Sequence, residues 1–572
     1  MKYIVCGHNL HSRINLKCER RARVTICDWL ILEYDPFYCF YIRVGETHYI
    51  SVGDDTRANN QIGSDFNGKG TLLIIDESGR NLRIYSDLYG AYPVFYCEKS
   101  FGHLLVSDNL LAFQGLRAQT DYASVHQYIK RGYCTGPYTL LSGIRRLEAN
   151  SKLEISGSKI AVTHLKSFWT TGDVAESDIV EQISSCLISG AKSIPKTQLM
   201  FSAGWDSRTI LAVFLAAESD FYCYSHGNIN SREISIAERI CLDAGVHFVK
   251  NDFSVEILSK ISLEKLMCTK GSAMFPHWWN SGEYSKLNSA AITAGTFGEV
   301  LGGHYGLINS LSGYKKYLKL LSILALNRAG GKILTGKSSV EFVYDLLSDS
   351  SVFSSWVFSS NGNRALEFPD IFEESNLRLK DTLERYQNEG ANSDLIYERY
   401  MTEHRGAAYI NLQLMNTNAN QYNIFLNPTL IKLLPKVPFK NRIHNQLNQK
   451  IVQQLNPKLL DYPMAATLVK AKRSLLSQEL SRALRKLLQK SETLSRLNQN
   501  YSKYRYTDGL GWNDFRVLKE PEISDFYVQG FKTSLFSSDR MKSALLNAND
   551  HSLYSWLDMV CKSYTVDRIL QH

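Results

Sequence analysis

The sequence predicts an α/β protein with a β-rich amino-terminal third, a central region of alternating strands and helices, and a mostly helical remainder. Three patterns support this prediction. Short apolar or alternating runs, separated by turn residues, fill the region before residue 165, as expected for paired strands. Strand-like runs alternate with helical periods from about residue 170 to 310, which is typical of a parallel sheet with crossover helices. Helical periodicity dominates after that point.

The composition is that of an ordinary globular protein. The chain has 572 residues, enough for two or three domains, with 44% hydrophobic and 21% charged residues. Its net charge of +9 suits an anionic substrate and does not by itself indicate nucleic acid. We expect no membrane span and no secretory leader, because no apolar run is long enough for either. An oligomer is compatible with this composition.

The cysteines indicate the cellular compartment. The eleven cysteines are dispersed along the chain and include no Cys-x-x-Cys pair. This spacing argues against a disulfide framework and against a structural zinc site. We therefore expect a cytoplasmic protein.

The amino-terminal third contains a predicted hairpin and three short motifs. The hairpin turn is Asp-Glu-Ser-Gly-Arg at residues 76–80, between two apolar runs. The motifs are Ser-Asp-Leu-Tyr-Gly-Ala-Tyr-Pro at 86–93, Leu-Val-Ser-Asp-Asn at 105–109, and a glycine-proline segment that leads to Ile-Arg-Arg-Leu at 144–147. Each motif is weak alone, but their order is more specific.

The most informative stretch is a small-residue turn between a strand and a helix. An apolar run ends at residue 201, and Ser-Ala-Gly-Trp-Asp-Ser precedes the apolar face of a helix. Such a turn points backbone N–H groups one way, and the helix dipole favours an anion there. No Gly-Lys-Ser/Thr follows, so the turn is not a Walker loop. We predict that it binds a nucleotide phosphate and that Asp206 holds the accompanying Mg²⁺. The predicted binding residues are Ser202, Ala203, Gly204, Trp205, Asp206 and Ser207.

Two other strand ends carry candidate site residues. Ser225 and His226 lie near the end of a predicted strand, where ligands bind in parallel sheets, and are expected near the adenine or ribose. A turn residue without a ligand is an equal alternative for His226. In the segment 290–304, Gly295 would allow close approach to the nucleotide. Glu299 is expected to bind metal or to act on the substrate side, with a surface acid as the alternative.

These motifs resemble the asparagine synthetase family over roughly residues 1–470. The central turn is similar to Ser-Gly-Gly-x-Asp-Ser, the pyrophosphate loop of N-type ATP pyrophosphatases, with Ala203 replacing the first glycine. Alanine is tolerated there at negative φ and harmful at positive φ. The segment 290–304 resembles Ser-Gly-Glu-Gly-Ser-Asp-Glu-Val-Phe-Gly-Gly-Tyr, with Gly298 in place of the family's aspartate. The three amino-terminal motifs are similar to the family's glutaminase domain.

The resemblance implies a fold and a division into domains. It implies a glutaminase-like, Ntn-type α+β sandwich at 1–165, a parallel-sheet ATP pyrophosphatase domain at 170–475 and a helical extension at 476–572. It also implies that a lysine contacts the phosphates, and Lys470 is placed slightly ahead of Lys472. The basic segment 470–506 carries a leucine stripe. It is either an amphipathic helix with a solvated face or a docking surface for an acidic substrate.

The resemblance implies an ATP-dependent amide-forming ligase that uses ATP and Mg²⁺. A carboxylate, free or carried on a larger molecule, would be adenylated with release of pyrophosphate, and an amine would then displace AMP. The family's active glutaminases use a cysteine directly after the initiator methionine, where this sequence has Lys2. Cys6 would lie within a strand, so we expect no glutamine hydrolysis. The nitrogen would be ammonia or an amine of the substrate.

The sequence leaves other functions open. β-Lactam synthetases and lasso-peptide cyclases resemble this layout, so one alternative is an intramolecular amide-forming cyclase. Amidation of a uronic acid in polysaccharide synthesis is another. A non-catalytic nucleotide-binding regulator is an alternative of a different class, motivated by Ala203, Gly298 and the missing nucleophile. A tRNA-thiolating enzyme is disfavoured, because no cysteine lies nearer the loop than Cys186 and Cys223.

Overall fold

The computed structural model describes residues 3–7, 22–26, 30–36, 38–53, 66, 68–97, 104–157, 159–170, 176–227, 231–252, 291–304, 339–349, 355–366, 369–391, 393–408, 420–474, 476–478, 480–481, 484, 518–528, 531–548 and 553–571.

The amino-terminal region is β-rich, and its described strands form two antiparallel sheets. The strands are β1 Tyr3–Gly7, β2 Ala22–Ile26, β3 Leu30–Tyr34, β4 Cys39–Val44, β5 Thr47–Val52, β6 Thr71–Asp76, β7 Asn81–Tyr85, β8 Phe95–Cys97, β9 Leu105–Ser107, β10 Ile144–Arg146, β11 Ser151–Ser156 and β12 Lys159–His164. Their orders are β10-β8-β9-β1-β3-β2 and β12-β11-β7-β6-β5-β4. The predicted hairpin is confirmed, because β6 and β7 pair antiparallel around residues 77–80.

The described helices lie between and after the strands. They are α1 Tyr122–Arg131, α2 Glu176–Lys192, α3 Trp205–Ala216, α4 Arg232–Asp243, α5 Gly298–Leu301, α6 Ser339–Asp349, α7 Ser360–Leu366, α8 Pro369–Asn388, α9 Ser393–Tyr400, α10 Pro428–Leu433, α11 Phe439–Arg442, α12 Gln446–Leu455, α13 Pro521–Val528, α14 Ser538–Leu546 and α15 Leu553–Leu570. A π-helical turn, Met401–Gly406, continues α9. None of the helices among these residues combines the length and apolar character that crossing a bilayer requires.

The first sheet packs apolar side chains on both of its faces. Side chains alternate along β1, so Tyr3 and Val5 join the apolar cluster shared with the second sheet, whereas Ile4 and Cys6 join a different cluster. That second cluster also contains residues of α1, α14 and α15. Carboxyl-terminal helices therefore cover the outer face of the first amino-terminal sheet.

The central region contains a five-stranded parallel sheet. Its strands are β13 Thr197–Met200, β14 Phe221–Gly227, β15 Phe248–Asp252, β16 Ala291–Thr293 and β17 Asn420–Tyr422, in the order β15-β14-β13-β16-β17. All four pairings are parallel. The chain moves outward to one side from β13 and to the other side from β16, so the strand order reverses between these two.

One element differs from the sequence prediction. Periodicity predicted a mostly helical chain after residue 310, but residues 420–422 form β17 at the edge of the parallel sheet. The strand is Asn-Gln-Tyr, which is too short and too polar to show either a helical or an alternating pattern. Its pairing with β16 therefore decides its conformation.

Candidate functional site

The candidate site lies where the order of the parallel sheet reverses. In open parallel sheets, ligands bind outside the carboxyl ends of the strands at this point. The loop after β13 leads into α3, and the loop after β16 leads into α5. Because β13 and β16 are neighbours, with Leu199 opposite Thr293, the two loops face one another. They carry Asp206 and Glu299 respectively.

The loop after β13 contains a strained residue. Ala203 is buried and has φ of +57°, in the left-handed region that alanine rarely adopts. The sequence left open whether this position needs positive φ, and the structure shows that it does. Gly204 then caps α3 without a side-chain hydrogen bond. The predicted turn and helix are both present, and the helix begins at Trp205, within the six predicted binding residues.

The side chains around this helix start differ in exposure. Ser202 is exposed, Trp205 is half-buried, and Ser207 is buried. The hydroxyl oxygens of Ser202 and Ser207 lie 3.3 Å apart. The first N–H groups of any helix lack intrahelical acceptors, so this end of α3 presents donors beside two hydroxyls. An anion is the complementary ligand.

Arg208 braces this loop from beneath. It is fully buried, and its Nη2 donates to the Ala203 carbonyl at 3.0 Å. The guanidinium also donates to the carbonyl oxygens of Leu459, Tyr462 and Pro463 at 3.0, 3.3 and 3.1 Å. Burial lowers the pKa of Arg208 to about 10. These contacts hold the left-handed turn in place.

Two carboxylates converge at the site. Desolvation, followed by repulsion from Glu299, raises the pKa of Asp206 well above its ordinary range. The Glu299 Oε2 atom is buried and has no hydrogen-bond partner among the described residues. Both residues are nevertheless partly exposed, so a ligand from solvent can reach them. A cation between these groups would remove the repulsion and satisfy the unpaired oxygen.

Glycines let the second loop approach Asp206. A Cβ atom at Gly298 would lie 2.6 Å from Asp206 Cβ, and one at Gly295 would lie 3.1 Å from the same atom. Gly295 was expected near a nucleotide, which stays a prediction, and both glycines approach the first turn of α3. An aspartate at Gly298 would require the loop to move. Glu299 therefore supplies the carboxylate of this loop.

Asn448 orients Asp206 and was not found from the sequence. It is fully buried on α12, and its Nδ2 donates to Asp206 Oδ1 at 3.2 Å. The same nitrogen donates to Asn445 Oδ1, which also lies 3.1 Å from His304 Nε2. The Asn448 oxygen accepts from Thr209 at 3.2 Å. The sequence could have indicated Asn448, because it is a polar residue on the otherwise apolar face of α12.

The remaining predicted residues are less directly connected to the two carboxylates. The Ser225 hydroxyl donates to the Phe201 carbonyl oxygen. His226 lies in β14, but its side chain is outside the described part of the structure. The half-exposed Lys470 and Lys472 both pair with Asp461, Lys470 at 3.7 Å. The segment that leads to these lysines contains the Tyr462 and Pro463 carbonyl groups, to which Arg208 donates.

The predicted basic segment is only partly described. Leu476, Leu480 and Leu484 are exposed at the surface, with the rest of the predicted stripe outside the described residues. In the described ranges, no group of three or more His, Cys, Asp or Glu side chains is arranged to hold a metal. Any cation at Asp206 and Glu299 would thus need ligands from substrate or water.

A cavity of about 270 Å³ lies between the amino-terminal region and the edge of the parallel sheet. Its wall includes Asp87 and Tyr92 from the amino-terminal region and Gln421 and Asn423 from the sheet edge. Asn423 Nδ2 donates to the Thr296 carbonyl at 2.7 Å. The cavity wall is thereby tied to the loop that carries Glu299.

The comparisons with known proteins concern the amino-terminal region. No curated protein matches the chain. One family profile, described as a glutamine amidotransferase domain, matches residues 56–169. This match spans strands β6 to β12, which belong to both amino-terminal sheets, and it contains the three amino-terminal motifs. The chain is therefore similar to glutamine amidotransferase domains over this region.

Proposed function

We propose that the protein is an asparagine-synthetase-like, ATP-dependent ligase that activates a carboxylate and joins it to an amine. The observation that carries this proposal is the convergence of Asp206 and Glu299 at the reversal of the parallel sheet. The amidotransferase-like region supports it, since such domains accompany amide formation in the family that the motifs resemble. The acid would be a small molecule or part of a larger carrier.

Mg²⁺ suits the two carboxylates. This ion binds oxygen ligands and commonly takes one or two protein carboxylates, with phosphate oxygens and water completing its shell. Asp206 and Glu299 would hold it, because Glu299 Oε2 has no hydrogen-bond partner in the described part of the chain and the two carboxylates repel each other. The bound ion would neutralise charge that develops on the phosphates. Asn448 would keep Asp206 oriented towards it.

ATP suits the loop beside these carboxylates. A substrate carboxylate oxygen would bond to the α-phosphorus of ATP, pyrophosphate would leave, and an amine would then displace AMP. Residues 202–207 would bind the departing phosphates through backbone N–H groups and the Ser202 and Ser207 hydroxyls. Ser225, His226 and Gly295 would lie towards the nucleoside, and Lys470 would neutralise the phosphates. Catalysis would rest on positioning and electrostatic stabilisation.

The proposal includes no glutamine hydrolysis. Cys6 is fully buried within β1, and burial raises the pKa of its thiol to about 12. A thiol in this state is a poor nucleophile, because the thiolate is the reactive form. The amine would therefore be ammonia or a group on the substrate, and the second case would make the reaction an intramolecular cyclisation.

Pyrophosphate release tests this proposal. Release would be measured with ATP, Mg²⁺, ammonia and a panel of acids, beginning with aspartate and extending to uronic acids and peptides. We expect acid-dependent release that falls roughly 100-fold in Asp206→Asn and Glu299→Gln, because each removes charge from the centre of the reaction. Glu238→Gln is the control, because its exposed carboxylate pairs with Lys250 on the surface of the parallel-sheet region.

Two results would contradict the ligase proposal. ATP binding without release for every acid would favour the nucleotide-binding regulator. Release that is equal in Asp206→Asn and in the control would place the chemistry elsewhere in the chain.

A further inference from the structure

The amino-terminal region presents one aromatic side chain to the candidate site. The buried Asp87 carboxylate accepts hydrogen bonds from the backbone N–H groups of Tyr89, Ala91 and Tyr92 at 3.0, 2.9 and 2.9 Å. These bonds fix the turn of the motif at residues 86–93. The carboxylate thus binds the backbone of its own turn, and the turn holds Tyr89 in one position.

Tyr89 stacks directly on the loop that carries Glu299. Its ring and that of Phe297 are 5.0 Å apart between centroids and nearly parallel, at 3°. Both side chains are 1% exposed. Tyr89 also lies near Phe168 and Trp169, at 6.2 and 6.0 Å. The stack therefore joins the amidotransferase-like region to the loop after β16 through a closed aromatic cluster.

Phe297 has a backbone conformation that needs such support. Its φ is +75°, which is a genuine outlier for a bulky side chain. It immediately precedes α5, and its carbonyl accepts from the Val300 N–H at 3.1 Å. Strained residues of this kind persist only where their surroundings hold them. A relaxed Phe297 would redirect α5, and Glu299 is the second residue of that helix.

We infer that Tyr89 is a positioning residue for Glu299, and that the amino-terminal region supports the synthetase site through this stack. The role of Glu299 in this inference rests on the proposed function. The effect of Tyr89 on the conformation of the loop does not. In this arrangement the amidotransferase-like region takes a structural part in the reaction at the synthetase site. It supplies the surface that keeps Phe297 in its left-handed conformation.

Three substitutions separate positioning from general stability. Tyr89→Leu removes the stack. Tyr89→Phe preserves it and removes a buried hydroxyl that has no hydrogen-bond partner in the described structure. Phe168→Leu is the matched control, because it trims the same aromatic cluster at a ring that lies near Tyr89 and Trp169. All variants would be studied as full chains at temperatures where each is folded by circular dichroism.

The first readout is amide hydrogen exchange of residues 294–304, which needs no ligand. We expect Tyr89→Leu to speed exchange there by roughly tenfold or more, because opening of the loop becomes easier. Tyr89→Phe and Phe168→Leu should leave it near the wild-type rate. Equal rates in Tyr89→Leu and wild type would overturn the inference, as would equal acceleration by Tyr89→Leu and Phe168→Leu.

The second readout is the Kd for ATP with Mg²⁺. We expect Tyr89→Leu to weaken ATP binding roughly tenfold, because a displaced Glu299 carboxylate no longer lies where it can bind the cation. Tyr89→Phe should retain the wild-type affinity. Unchanged affinity in Tyr89→Leu would overturn the role assigned to the stack. A wild-type chain that binds no ATP would reject the proposed function, while the exchange rates would still decide whether Tyr89 positions the loop.

Discussion

Ala203 shows how one side chain can be kept where glycine is expected. Its φ of +57° costs about 1–2 kcal/mol for an L-residue. Three features offset this cost: its methyl group is buried, its carbonyl accepts from Arg208, and the next residue caps α3. The sequence predicted the loop but not the sign of φ, because positive φ depends on the contact of Arg208 with the segment 459–463, which is distant in sequence.

We predict that Ala203→Gly is nearly neutral for stability. Glycine relieves the left-handed strain, and this offsets the lost methyl and the greater freedom of the unfolded chain. The control is Ala212→Gly, an equally buried alanine inside α3, where glycine costs about 1 kcal/mol of helix propensity. Urea unfolding should show Ala203→Gly to be at least about 1 kcal/mol less damaging than the control. Equal losses would mean that Ala203 is not strained.

At the scale of elements, the arrangement of α3 against its neighbours builds the site. The sequence predicted an apolar strand that ends at residue 201, the turn and the helix that follow it, and an apolar strand in the segment 290–304. It did not predict which strands are neighbours, because that depends on pairings across almost 100 residues. Arg208 and Asn448 were missed for the same reason: each is a polar residue on an apolar helix face, and its partners lie on other elements.

We predict that Arg208→Lys destabilises the protein by roughly 2 kcal/mol or more. An ammonium cannot reproduce the fork that binds four carbonyl groups, and each buried acceptor left unpaired costs about 1–3 kcal/mol. Arg239→Lys is the control, because Arg239 is exposed on α4 and its surface pair with Asp243 contributes little. Chemical unfolding measures both. Similar effects for the two variants would show that the fork is unimportant.

At the scale of the whole molecule, polar side chains join the amino-terminal region to the helices after residue 355. Arg385 pairs with Glu148, and the Trp169 Nε1 donates to Glu403 at 3.0 Å. The sequence predicted a β-rich region and a helical region but no contact between them. Sequence periodicity predicts the helix or strand in which a residue lies. It does not predict such contacts, because the partner of each residue lies on an element that is distant in sequence.

The last prediction concerns acid, and it tests this junction. His126 lies 3.2 Å from the Ser375 hydroxyl, and His404 Nε2 accepts from the Gly136 N–H at 2.9 Å, so both histidines link the two regions.

Burial lowers the pKa of His126 from 6.5 to about 4 and lowers that of His404 well below 6.5. The unfolded chain therefore binds protons that the folded chain does not. The stability contributed by each neutral histidine is fully present above pH 6.5 and is lost as pH falls, for His126 by about 1.4 kcal/mol per pH unit until its folded-state pKa of about 4 is reached. Urea unfolding at pH 7.5 and 5.0 should thus show a loss that is about 2 kcal/mol smaller in His126→Asn than in the wild type, and a loss that is also smaller in His404→Gln. Parallel losses in all three proteins would mean that carboxyl groups, and not this junction, govern acid sensitivity.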